Sequence, residues 1–129
     1  VIDKNSIAET LKEVLPPGAE VEFDFQGDDF VASFCWLLNN DPKRPFKRSK
    51  RVEFVVSPEA LEDFSNVGNK KEARLQMNLE MYLNHMLDEF EPDHQAPEGF
   101  AEPTEKWRID SMYFLETLES IPGIKRRLF

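Results

Sequence analysis

The chain has 129 residues, 40% of them hydrophobic, with 11 Phe and 2 Trp against 5 Gly, which fits one domain around a single aromatic-rich core and is too short for two. Its 25 Asp and Glu against 16 Lys and Arg give a formal net charge of −9, so the body as a whole repels nucleic acid and anionic membrane surfaces. A single cysteine, Cys35, excludes an internal disulfide and a cysteine-rich zinc site, and no apolar run approaches the roughly eighteen residues of a membrane span.

The first stretch is amphipathic. Ser6 and Glu9 match a capping box, and Ile7, Leu11, Val14 and Leu15 fall on one helical stripe that "LPPG" at 15–18 ends. The same stretch is charged and unlike a secretory signal. Next, in "AEVEFDFQG", Val21, Phe23 and Phe25 alternate with Glu20, Glu22 and Asp24, the pattern of a strand with one face in a core and one in water. Gly27-Asp28-Asp29 reads as a tight connection, because Gly tolerates positive φ and Asp bonds back to its own backbone. "DFVASFCWLL" then predicts a second strand, apolar on both parities and so covered on both faces in the middle of a sheet. Across a basic loop, "RVEFVVS" alternates through Val52, Phe54 and Val56 and predicts a third strand.

Ser57 and Pro58 are the cap and first-turn residues of a short helix, "SPEALEDFSN". The longest periodic stretch follows from Asn69 to Phe90, where Leu75, Leu79, Tyr82, Leu83, Met86 and Phe90 share one helical direction. Residues 91–105 lose all periodicity and carry three of the nine Pro, so they read as an arm. A short strand at Lys106 to Ile109 is a minor expectation, and Asp110 caps a helix through Ser120 that Pro122-Gly123 stops. The expected fold is α+β in a single domain, 1–129. A three-stranded antiparallel meander packs against the long helix within 1–90, followed by the arm at 91–105 and a C-terminal helical segment at 106–129.

Two surfaces stand out as candidate sites. Six of the sixteen Lys and Arg lie in the loop before the third strand (Lys43, Arg44, Lys47, Arg48, Lys50 and Arg51), leaving ten against 25 carboxylates elsewhere, or about −15. Such a loop suits phosphates, and Phe46 adds a ring for stacking on a base; the competing reading is a solvated loop whose charges pair with the acidic body. On the long helix, Met77 and Met81 point away from the main stripe, with Arg74 and His85 nearby, and adaptable Met side chains suit a partner surface or a homodimer contact. The competing reading has the arm and its C-terminal aromatics, Phe100, Trp107 and Phe114, fold back over that face.

Signals for chemistry are thin. His85 and His94 read as surface histidines, with no second imidazole at metal-ligating spacing. Cys35 sits in the most apolar strand, where a thiol is inert. The sequence carries no nucleophile-elbow, phosphate-loop or dinucleotide motif. The expectation is a small acidic cytoplasmic protein that is not an enzyme, needs no metal or cofactor and is not bound to membranes. It would act through protein contacts as an adaptor, inhibitor or chaperone-like binder, with a basic partner or a second copy of itself. The alternative is a nucleic-acid or phosphate-ligand binder using residues 43–51.

Overall fold

The computed structural model of the chain describes residues 4–38, 42–43, 46–66, 69–97 and 100–111. The predicted C-terminal helix, with Phe114, and Arg44 of the basic loop lie outside the described residues. Elements follow the order α1 (Lys4–Val14), β1 (Glu20–Gln26), β2 (Asp29–Cys35), β3 (Arg51–Val56), α2 (Pro58–Ser65), α3 (Asn69–Glu89) and β4 (Thr104–Ile109).

Helix α1 begins at least two residues before the expected Ser6 cap, and Ser6 sits inside it, its carbonyl accepting from Thr10 Oγ1 at 2.9 Å. Ile7, Leu11 and Leu15, four apart, are buried as the stripe predicts. The chain then reverses in Pro16-Pro17-Gly18-Ala19, where the Ala19 N–H donates to the Pro16 carbonyl at 3.2 Å and Gly18 takes φ +82°. Pro at the second position and a left-handed Gly at the third define a type II turn. At the β1–β2 hairpin Gly27 alone takes positive φ, +62°, between the closing pair Gln26 and Asp29, as Gly does at the first central position of a type II′ turn.

β2 ends at Cys35, three residues short of the expected Leu38. Beyond it the hairpin to β3 continues irregularly: Leu37 bridges Arg48, Leu38 N–H donates to the Lys47 carbonyl at 2.8 Å, and Ser49 N–H to the Trp36 carbonyl at 2.7 Å.

The three-stranded meander is the main expectation that needs correction. The sheet has four strands in the order β1-β2-β3-β4, with β1, β2 and β3 antiparallel and β4 parallel to β3, from Arg51↔Thr104 to Val56↔Ile109. β4 therefore starts inside the predicted arm. Parallel neighbours need a long crossover, and α2, α3 and the residues after Phe90 supply it. Ser57 fastens its start to its end: the hydroxyl caps α2 by accepting from Ala60 N–H at 3.1 Å and donates to the Asp110 carbonyl at 3.0 Å, while Ser57 N–H donates to the Ile109 carbonyl at 3.0 Å.

One sheet face makes the core. Phe30, Ala32, Phe34, Val52, Phe54, Val56, Trp107 and Ile109 meet Leu75, Leu79, Tyr82 and Leu83 of α3 together with Phe64 of α2 and the α1 stripe. At one corner Phe34, Trp36, Phe90 and Trp107 form a ring cluster, with centroids 5.6 Å apart for Phe34–Trp107 and Trp36–Phe90 and 5.8 Å for Phe90–Trp107. Edge-to-face pairs of this kind add to the area they bury. The opposite face is roofed by charge. Val31 and Val55, 2% and 6% exposed, lie side by side in the register, and Arg108 beside Val55 reaches across both to Asp29 at 3.0 Å, donating also to Asp110 at 2.6 Å.

Two outcomes follow for stability. Trp107→Ala should cost about 3–5 kcal/mol in urea unfolding, whereas Phe46→Ala, at a position 74% exposed, should stay within about 0.5 kcal/mol. Burial pushes the Tyr82 phenol up to about 12. A raised folded value means that this contribution is complete below the unfolded value of about 10 and is lost as pH rises through 12. Alkaline titrations followed by circular dichroism should show stability falling above pH 10, and Tyr82→Phe should flatten that limb.

Candidate functional site

The basic loop folds onto the arm. Lys50 N–H donates to the Pro92 carbonyl and Arg51 N–H to the Pro103 carbonyl, both at 2.9 Å. The Lys47 side chain is 4% exposed and its ammonium binds the Asp93 carboxylate, which also accepts from His94 N–H at 2.8 Å. His94 is buried rather than at the surface: its Nδ1 accepts from Ala96 N–H at 3.1 Å, which leaves the proton on Nε2 to donate to the Arg48 carbonyl at 2.7 Å. The Nε2 bond pins the arm to the loop, while the Nδ1 bond is internal to the arm.

The five described cations do not form one exposed patch. Arg48 pairs with Glu20 at 3.2 Å and with Glu102 at 4.0 Å. Lys50 stands 5.9 Å over the Phe90 ring, and Arg51, half-buried in β3, is 3.9 Å from Cys35 Sγ. Lys43 and Phe46 are exposed. Lys47 and Arg48 thus meet acidic neighbours and Lys50 an aromatic ring. The partners Glu20, Asp93 and Glu102 are distant in sequence, so charge density along the chain does not show them.

The Met face divides as well. Met77 is 43% exposed and Arg74 is exposed, but Met81 is 6% exposed within the core cluster and His85 is half-buried with a buried Nδ1 that has no hydrogen-bond partner among the described residues. The buried arc of α3 is wider than the Leu75 stripe and extends through Asn78 to Met81. A stripe drawn from apolar spacing alone cannot show that width. Met81 thus belongs to the interior. Of the aromatics expected to cover this face, Trp107 is buried in β4 and Phe100 is 71% exposed.

Cys35 Sγ donates to Glu20 Oε2 at 3.6 Å. Burial pushes its thiol above the ordinary value, with Arg51 pulling it down and Glu20 adding to the rise. A protonated thiol is a poor nucleophile. Among the described residues no group of three or more His, Cys, Asp and Glu is placed to hold a metal ion, and no helix is long and apolar enough to cross a membrane.

A feature that sequence reading took for core lies between α1 and β1. The two run antiparallel and leave a groove of about 390 Å³ whose lining includes Lys4, Lys12, Phe23, Asp24, Phe25 and Phe30, continued at the other end of α1 by a second hollow of about 520 Å³ beside Leu15, Pro16 and Val21. Phe23 stacks on Phe30 with centroids 6.0 Å apart, Phe25 tilts against Phe30 at 5.6 Å, and Phe25 remains 46% exposed. Lys4 lies 5.7 Å over Phe25 and Lys12 5.5 Å over Phe23, shielding the rings with stems and ammonium groups.

Among the described residues β1 is an edge strand, with β2 its one neighbour in the sheet. Gln26↔Asp29 closes a two-residue turn and is a hydrogen-bonded pair, so Glu20, Glu22, Asp24 and Gln26 bond to β2, while Val21, Phe23 and Phe25 turn their N–H and C=O outward. The Phe25 N–H agrees: it donates to its neighbour's carboxylate, Asp24 Oδ1, at 2.8 Å. The residues whose side chains line the groove thus also present the free backbone of the edge.

Comparison with protein-family models, with curated protein sequences and with solved structures finds no match to this chain. The candidate site consequently stands on its geometry.

The Lys47–Asp93 contact gives an asymmetric expectation. Asp93→Asn leaves a buried ammonium without its counter-charge and should lower unfolding stability by about 1–3 kcal/mol. Lys47→Met, which removes the charge but keeps the stem, should cost less. Chemical denaturation of both variants checks the order.

Proposed function

We propose that the chain is a non-catalytic protein-binding module whose partner seats on the α1–β1 side. One observation carries this reading: an aromatic-lined groove with Phe25 46% exposed runs along an edge strand whose outward backbone meets no further strand among the described residues. Grooves with ring floors and a few polar groups at their rims are the usual form of recognition sites, and an exposed sheet edge is a recurring way of holding an extended partner. Catalysis has less support, because burial holds the thiol protonated and, among the described residues, no group of three or more His, Cys, Asp and Glu is placed to hold a metal ion. Polyanion binding by the loop also has less support, because Lys47, Arg48 and Lys50 are already engaged with protein groups.

Photo-crosslinking tests the reading. Benzoylphenylalanine at position 25 should give discrete protein adducts in native extract, and the same probe at position 46 or 77 should not. Phe25→Ser should weaken partner capture by about tenfold or more with an unchanged melting curve. Adducts from position 46 alone, together with nucleic-acid binding whose log–log salt slope is about five, as six phosphate contacts require, would move the function to the basic loop.

A further inference from the structure

The two faces of β1 carry different chemistry, and together they specify what an added strand must look like. On the groove face stand Val21, Phe23 and Phe25; on the other face Glu20, Glu22 and Asp24 are exposed. Between Lys12 and Lys43 the sequence has no Lys or Arg at all, while seven carboxylates fall in that interval. The exposed carboxylates of the β1 edge are Glu20, Glu22 and Asp24, of which Arg48 pairs with Glu20.

From this we infer that the α1–β1 side binds an extended protein segment that alternates Lys or Arg with apolar residues and adds to β1 as a fifth strand. The inference rests on the protein-binding reading above and names the class of partner. Side chains of an added strand alternate between the two faces as those of β1 do. Its apolar positions enter the groove against Phe23 and Phe25, beside the stems of Lys4 and Lys12. Its cationic positions stand next to Glu20, Glu22 and Asp24, and opposite charges on adjacent strands stabilise the pair. Main-chain hydrogen bonds run from the partner to Val21, Phe23 and Phe25.

Asp24 makes this edge selective. Its carboxylate occupies the Phe25 N–H at 2.8 Å, so the donor is closed to a neutral or acidic strand. A cationic side chain arriving beside Asp24 draws the carboxylate away and frees that N–H for the ladder. Charge on an edge ordinarily blunts association; here it excludes one class of strand and admits another.

A second copy of this chain is the wrong occupant. Antiparallel pairing of two β1 strands about Phe23 sets Glu22 opposite Asp24 of the second copy, twice, and like charges directly opposite destabilise the pair. Each copy would also keep its own Asp24 lid.

The test uses the full chain and three synthetic heptapeptides: KVKFKVK; KKVFVKK, which has the same composition with the alternation broken; and KVKFKVK with N-methylated amides on the bonding edge. Fluorescence anisotropy should show the first binding at least about tenfold more tightly than the other two, and hydrogen exchange should slow at the Val21, Phe23 and Phe25 amides in its presence. E22K/D24K should lose about tenfold for KVKFKVK and gain for EVEFEVE; E22Q/D24N is the milder companion should the reversal impair folding, and it should lose part of the affinity. Equal binding of all three peptides, or binding without protection of those amides, overturns strand addition. Failure of KVKFKVK to bind while position 25 still crosslinks to partners rejects this inference and leaves the protein-binding reading intact. Concentration-dependent dimers crosslinked β1 to β1 would assign the edge to a second copy and overturn it as well.

Discussion

The corner where Phe34, Trp36, Phe90 and Trp107 meet joins parts of the chain that have no other reason to be close. One ring comes from the end of β2, one from just past it, one from the end of α3 and one from β4. Burying four large rings against one another fixes where the long helix ends, and so fixes the course of the chain that leaves it. Phe90 leads into Asp93 and His94, which meet the basic loop, and Trp107 lies in β4 where it pairs with β3. The distribution of charge over the molecule is downstream of this packing.

That dependence separates the two charged regions. The basic loop is dense in cations along the sequence, yet the arm brings carboxylate and imidazole groups to it and β1 contributes Glu20. The amides of Lys50 and Arg51 at its end are tied by hydrogen bonds to the carbonyls of Pro92 and Pro103. The β1 edge has the opposite character. Its anions are fewer, but Glu22 and Asp24 point away from the core on a strand with an unfilled side, and nearby rings remain accessible. Local charge density is a poor guide to binding potential when the counter-charges lie far along the chain; open backbone and unfilled apolar surface are better guides.

The elements that sequence reading placed well are those whose evidence is local. Alternation through Val21, Phe23 and Phe25, a glycine at the hairpin, and Ser57-Pro58 at the start of α2 each act within a few residues, and the structure has β1, the β1–β2 hairpin and the α2 cap where they indicate. β4 carries only Trp107 and Ile109 as buried apolar positions, and what makes it a strand is the β3 edge that it meets after a long crossover. A six-residue pattern cannot announce that. The candidate site was hidden for a similar reason: alternation puts Phe25 on the core face of its strand, but α1 begins alongside it and leaves the ring half uncovered. The histidine at 94 looked idle because its acceptor, the Arg48 carbonyl, belongs to a loop that only the tertiary fold brings near.

The parallel pairing of β4 with β3 also sets an order of events during synthesis. The β1–β2 and β2–β3 ladders join neighbouring segments and can close as soon as Val56 has emerged, whereas the last ladder must wait for residues 57–103 to be made and for the ends of that loop to be brought together. In that interval the outer side of "RVEFVV" is a bare apolar edge of the kind that recruits other chains. The nascent protein therefore passes through a stage at which the side that is sealed in the finished fold is its most adhesive surface.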